Sequence, residues 1–130
     1  MSYYKNVLLI DDDADDHEIF IEAVKEIDRT VTCFSMFDGE KALLSLKEKS
    51  VSPDLIILDT NLPKMNGLQI LSALKTSPDF NHIPVIMYST FFSEKDMEEL
   101  TILGASYNLK KPSRFEDFRN AISYILHEKW

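Results

Sequence analysis

Cysteine occurs once in the 130 residues, at Cys33, so no disulfide can close within the chain. That thiol sits in a short apolar-polar alternating run and reads as an inert core side chain. No apolar stretch approaches the roughly 18 residues of a membrane span. The amino-terminal Met1-Ser2-Tyr3-Tyr4-Lys5 does not lead into the apolar region of a secretory leader. Basic residues are the scarcer charge, 14 against 22 acidic, for a formal charge of -8. A field of that sign repels nucleic acid and anionic membrane surfaces. His17, His82 and His127 are scattered without ligand spacing and are read as non-catalytic. Repeats, low-complexity tracts and interdomain linkers are missing too. These absences predict a soluble cytoplasmic protein, one compact domain over residues 1–130, with neither nucleic acid nor membrane as partner.

What the chain does have is an alternation of short apolar runs and longer segments of helical period. Val7 to Ile10, Val31 to Phe37, Leu55 to Leu58, Val85 to Tyr88 and Tyr107 to Leu109 read as strands. Between and after them, apolar residues recur at spacings of three and four. Ile19, Phe20, Ala23, Val24 and Ile27 form one such stripe; Phe115, Phe118, Ile122 and Ile125 form the last. Asp38 is placed to cap the second helix, and Ser93 with Asp96 the fourth. Ser113 with Glu116 has the spacing of a capping box for the fifth. Strict alternation requires right-handed crossovers between parallel neighbours. The predicted fold class is therefore α/β: a flavodoxin-like, doubly wound (βα)5 unit with five parallel strands in the order 2-1-3-4-5.

In such a sheet the carboxyl ends of the strands lie together, and that is where sites form. The first run stops on Asp11-Asp12, the third on Asp59, the fourth on Ser89, and the fifth leads into Lys110-Lys111-Pro112. Carboxylates gathered at one edge repel one another and take up protons unless a cation neutralises them. Oxygen ligands in small number favour Mg2+, which keeps waters and accepts phosphate oxygens, and no twelve-residue calcium loop is present. A carboxylate can also attack phosphorus and become an acyl phosphate. Asp59 is the candidate nucleophile, Lys111 the second positive centre facing the phosphoryl group, and Ser89 a hydrogen-bond donor to it.

These residues resemble the receiver domains of two-component response regulators. The resemblance rests on four motifs in order: Leu8-Leu9-Ile10-Asp11-Asp12-Asp13, Ile57-Leu58-Asp59 through Leu62-Pro63 to Gly67, Pro84-Val85-Ile86-Met87-Tyr88-Ser89, and Lys111-Pro112. It implies that Asp59 accepts a phosphoryl group from a histidine kinase or histidine phosphotransfer protein. It implies Mg2+ on Asp12, Asp59 and the backbone carbonyl of Asn61, with Asp11 acting mainly through water, and a cis Lys111-Pro112 bond. Phosphorylation would draw in Ser89, shift Thr90 to Ser93 and change binding to a downstream protein target.

The chain departs from the family at the usual aromatic switch position, where it carries Asn108 with Tyr107 one place earlier. Thr90 is followed by the bulky Phe91 and Phe92, and Phe91 is expected to shield the phosphoryl group partly from water. No effector domain is expected beyond the fifth helix, a pattern that resembles stand-alone regulators that act by binding. Phe91, Phe92 and Trp130 fall outside the periodic inner faces, and an exposed patch there would mark a docking or homodimer surface. Two other functions compete. A haloacid-dehalogenase-type phosphatase would use Asp11-Asp12-Asp13, but it needs an acidic pair beyond the lysine, where only Glu116, Asp117 and Glu128 follow. A phosphorylation-independent interaction module would lack one of the key residues, and all are present. The protein is thus expected to take a phosphoryl group onto itself and lose it again, not to turn over external substrates.

Overall fold

The computed structural model describes residues 1–130. Strands β1 (Asn6–Ile10), β2 (Thr32–Met36), β3 (Leu55–Asp59), β4 (Val85–Ser89) and β5 (Tyr107–Lys110) alternate with helices α1 (Ala14–Ile27), α2 (Gly39–Lys47), α3 (Gly67–Lys75), α4 (Glu94–Leu103) and α5 (Phe115–Leu126). All pairings are parallel, and the strand order is β2-β1-β3-β4-β5, as the alternation predicts.

Side-chain alternation along β1 and β3 divides the core in two. Val7, Leu9, Leu55 and Ile57 face one layer with Phe20, Val24, Phe118 and Ile122 from α1 and α5. Leu8, Ile10, Ile56 and Leu58 face the other, with Leu46, Ile70, Leu71, Leu74 and Leu100 from α2, α3 and α4. Every residue of β3 and β4 is buried, the signature of central strands covered on both faces. Cys33 is half-buried against the first layer, and burial pushes its thiol up to about 11, so it is un-ionised at neutral pH.

Helix starts follow local chemistry. Asp38 caps α2 by accepting from the Lys41 amide, and Ser93 and Asp96 form the reciprocal box on α4. Asn66 and Gln69 form a further box on α3. The box expected on α5 does not form. That helix begins at Phe115 with Arg114 as its cap, which displaces Ser113 and Glu116 from the required positions. No peptide bond is cis, so Lys111-Pro112 is trans, the ground state for such a bond by roughly 0.5–1 kcal/mol, and the expectation carried by the resemblance is corrected.

No helix is long and apolar enough to cross a membrane. Register fixes the functional edge: Ile10 lies opposite Leu58, Asp59 opposite Tyr88 and Ser89 opposite Lys110. The four strand ends named from sequence therefore finish side by side.

Candidate phosphoryl-acceptor site

Asp59 is the last residue of β3 and is 4% exposed. Its Oδ1 accepts from the Asn61 amide at 2.8 Å, and its Oδ2 from Lys111 Nζ at 3.0 Å. The loop that turns away from it is held close by Gly67. A Cβ on that residue would stand 2.6 Å from the Asp59 carbonyl oxygen and 2.7 Å from Thr60 Cα. Within the same loop, Met65 N–H donates to the Pro63 carbonyl at 2.7 Å while Lys64 takes φ 64°, a tight turn in left-handed backbone.

Asp11, one residue beyond β1, is fully buried. Its Oδ1 accepts from the Asp13 amide at 2.9 Å, and its Oδ2 lies 3.5 Å from Lys111 Nζ. Burial pushes its carboxyl up to about 7. Hydrogen bonding to the Asp13 amide opposes that rise, and the neighbouring Asp16 and Asp59 carboxyls add to it.

Lys111 is the hub of the site. Its backbone amide donates to the Ser89 carbonyl at 2.7 Å, which tethers the end of β5 to the end of β4. Its ammonium reaches Asp16 Oδ2 at 2.9 Å as well as Asp59 and Asp11, and lies 4.4 Å from the Tyr88 ring centroid. Burial disfavours the charge on Lys111, but the hydrogen bonds it donates to Asp16 and Asp59 outweigh it and hold the ammonium well above the usual lysine range.

Oxygens of Asp11, Asp16 and Asp59 lie within 4.8 Å of one another. Three hard oxygen donors at that separation suit a hard divalent cation. Asp12 is exposed and is not one of these three carboxylates, and Asn61 and Lys110 are exposed as well.

Asp16 is the participant that sequence reasoning missed. In sequence it reads as part of an acidic helix entry favoured by the dipole. It is the third residue of α1, and helical side chains lean toward the amino terminus, which carries its carboxylate back over the strand ends. The pattern that marks it, a carboxylate one turn into a helix that begins directly at the site, depends on where α1 starts.

Ser89 is 2% exposed, and its hydroxyl donates to the Phe91 carbonyl at 2.9 Å inside its own loop. Thr90 and Phe91 are exposed, Phe91 at 68%, and they line with Asn61 and Ser89 an open groove of about 460 Å3. Phe91 is thus a wall of this groove with most of its ring in solvent, while Phe92 is partly buried against the second core layer. Asn108 is half-buried, with its Oδ1 buried and unpartnered. Tyr107 packs against Tyr124 and Trp130, with centroids 5.8 and 5.1 Å apart. Trp130 is anchored through its indole N–H to the Ile125 carbonyl at 2.8 Å.

A parallel sheet that brings an aspartate, a lysine and a serine together at its switch point defines a class, and comparison with known proteins gives the same class. Residues 7–123 match the response regulator receiver domain family, and the chain belongs to that family. It is 31% identical over 126 residues to the response regulator Rcp1 of Synechocystis sp., covering 93% of this chain and 86% of that protein. It superposes on the phosphorylated cyanobacterial phytochrome response regulator RcpA with a TM-score of 0.87 at 27% identity, covering 94% of this chain and 91% of that one. The Mn2+-bound form of Rcp1 superposes with a TM-score of 0.83 at 31% identity, covering 93% and 91%. The chain is a response regulator receiver domain, a signalling unit.

Proposed function

We propose that the chain accepts a phosphoryl group on Asp59 from a histidine kinase or histidine phosphotransfer protein in the cytoplasm, with Mg2+ as cofactor, and signals by altered binding to a protein target. The observation that carries this reading is the position of Lys111 Nζ, 3.0 Å from Asp59 Oδ2, while Asp59 Oδ1 is fixed by the Asn61 amide. The nucleophile is thereby oriented and its partner charge is already in place. RcpA, a structural relative, was solved phosphorylated, and Rcp1 with Mn2+, which supports both halves of the reading.

In the transfer step an oxygen of Asp59 bonds to phosphorus as the bond from phosphorus to the donor nitrogen breaks, leaving the electron pair on that nitrogen. Lys111 exchanges its contact with Asp59 for one with a phosphoryl oxygen, which holds the charge that the carboxylate no longer carries. Asp11, Asp12, Asp59 and the Asn61 carbonyl would hold the cation, which when bound neutralises the phosphoryl oxygens. Ser89 then turns its hydroxyl from the Phe91 carbonyl to the phosphoryl group. That exchange releases the loop from Thr90 to Ser93 and biases a two-state equilibrium through α4 and β5. Phe91 follows the loop and slows hydrolysis by narrowing the approach of water, and loss of the phosphoryl group to water resets the protein.

Intact-mass measurement after incubation with acetyl phosphate and Mg2+ tests the proposal. The expected product carries one phosphoryl group in the wild type and none in Asp59→Asn. Steady release of phosphate from small phosphomonoesters without protein modification would overturn it.

A further inference from the structure

His17 lies under the loop that carries Asp11, Asp12 and Asp13, with 3% of its surface exposed. Its Nε2 is 2.6 Å from the main-chain carbonyl oxygen of Asp11. A carbonyl only accepts, so Nε2 carries the proton. Nδ1 is buried without a partner. The Phe37 ring covers the imidazole at a centroid distance of 4.2 Å, tilted by 40°.

The fold alone does not call for this arrangement. Phe20, Ala23 and Val24 supply the buried stripe of α1, and an apolar side chain at position 17 would fill the same volume without stranding a polar nitrogen. What the imidazole adds is geometric. Asp11 lies one residue past the last register pair of β1 with β3, Ile10 opposite Leu58, where the sheet ladder no longer orients its carbonyl. The Asp11 amide is fixed on one side, donating to the Met36 carbonyl at 3.1 Å, and its Oδ1 is fixed by the Asp13 amide at 2.9 Å. His17 supplies the remaining restraint, on the peptide plane that joins Asp11 to Asp12.

We propose that His17 is a positioning residue for the divalent cation: its Nε2–H···O=C bond to Asp11 locks the Asp11-Asp12 peptide so that these carboxylates present their oxygens to the ion together. The inference rests on the cation reading of the site given above. It assigns a role to a histidine that has no ligand spacing in sequence and touches no reacting atom. Its contribution is that of one net hydrogen bond, which corresponds to a change in Mg2+ affinity of about threefold to tenfold. Partners behind metal ligands elsewhere act on affinity in the same way.

The test is calorimetric titration of MgCl2 into the intact wild type, His17→Leu and His17→Gln, joined to nitrogen-15 NMR of the His17 ring in the metal-free wild type. His17→Leu should bind Mg2+ about threefold to tenfold more weakly. His17→Gln, whose side-chain amide can again donate to the Asp11 carbonyl, should recover most of that loss, and the NMR should place the ring proton on Nε2. Equal Mg2+ affinity in wild type and His17→Leu overturns the inference alone. So does a ring proton found on Nδ1, which needs no variant to fold. A wild type that binds no Mg2+ overturns the cation reading, and this inference with it.

Discussion

Lys111 sits closer to Asp16 than to Asp59: its ammonium is 2.9 Å from the helix carboxylate and 3.0 Å from the strand carboxylate, with Asp11 at 3.5 Å. One cation thus serves three anions, two of them almost fully buried. Removing one partner of a buried ion pair leaves the other charges uncompensated, a heavier penalty than the pair itself is worth. Lys111→Met is therefore expected to destabilise the metal-free protein by on the order of 1–3 kcal/mol, less than for a dry pair because water reaches Asp16 and Lys111. Saturating Mg2+ should restore much of that loss by standing in for the ammonium. Urea titrations with and without Mg2+ measure both.

The raised Asp11 carboxyl gives a signed pH dependence. Between its unfolded value near 3.8 and its folded value of about 7, the folded state binds the extra proton, so metal-free stability falls as pH rises through that window and levels off above it. Mg2+ requires the deprotonated group, so its apparent affinity should rise with pH, by up to roughly tenfold per unit, and plateau above about 7 with proton release below. Hydrogen bonding to Asp16 is one of the causes that raise Asp11, and Asp16→Ala should move this plateau to lower pH. Calorimetry in buffers of different ionisation heat reads the proton release directly.

Gly67 occupies a position with no room for a side chain, because a Cβ would press on backbone and not on a mobile side-chain end. Gly67→Ala is expected to cost about 1–3 kcal/mol of stability and to slow modification by acetyl phosphate, since the clash falls on the carbonyl of Asp59 itself. Thermal unfolding and the rate of phosphoryl uptake should change together.

The architecture was legible because period and punctuation agree along the whole chain: the all-apolar run Leu55 to Leu58 marked a central strand, and Asp38 and Ser93 marked real helix starts. The predicted ends of the strands place Asp11, Asp59, Ser89 and Lys111 at one edge of the sheet. Asp16 and His17 were not legible in the same way. Their roles depend on the lean of side chains in the first turn of α1 and on where that helix begins relative to β1, which spacing alone does not encode. The Ser113-Glu116 box failed for a similar reason, since a shift of one residue in a helix start cancels a capping pattern that looks complete in sequence.

Asn108 carries a buried side-chain oxygen that has no hydrogen-bond partner. Replacing such a group by an apolar side chain of similar size removes the desolvation penalty without leaving another partner stranded. Asn108→Leu is expected to raise stability by about 1 kcal/mol in the unmodified protein. A denaturant midpoint that shifts upward with an unchanged slope would show it.

The central claim is that Asp59, alone among the clustered carboxylates, becomes the acyl phosphate. Reductive trapping with borohydride after exposure to acetyl phosphate and Mg2+, followed by peptide sequencing in the mass spectrometer, reports the modified residue directly. The account predicts a single reduced site at Asp59; a label on Asp11, Asp12 or Asp16 instead, or no label in a protein that is folded and binds Mg2+, would contradict it.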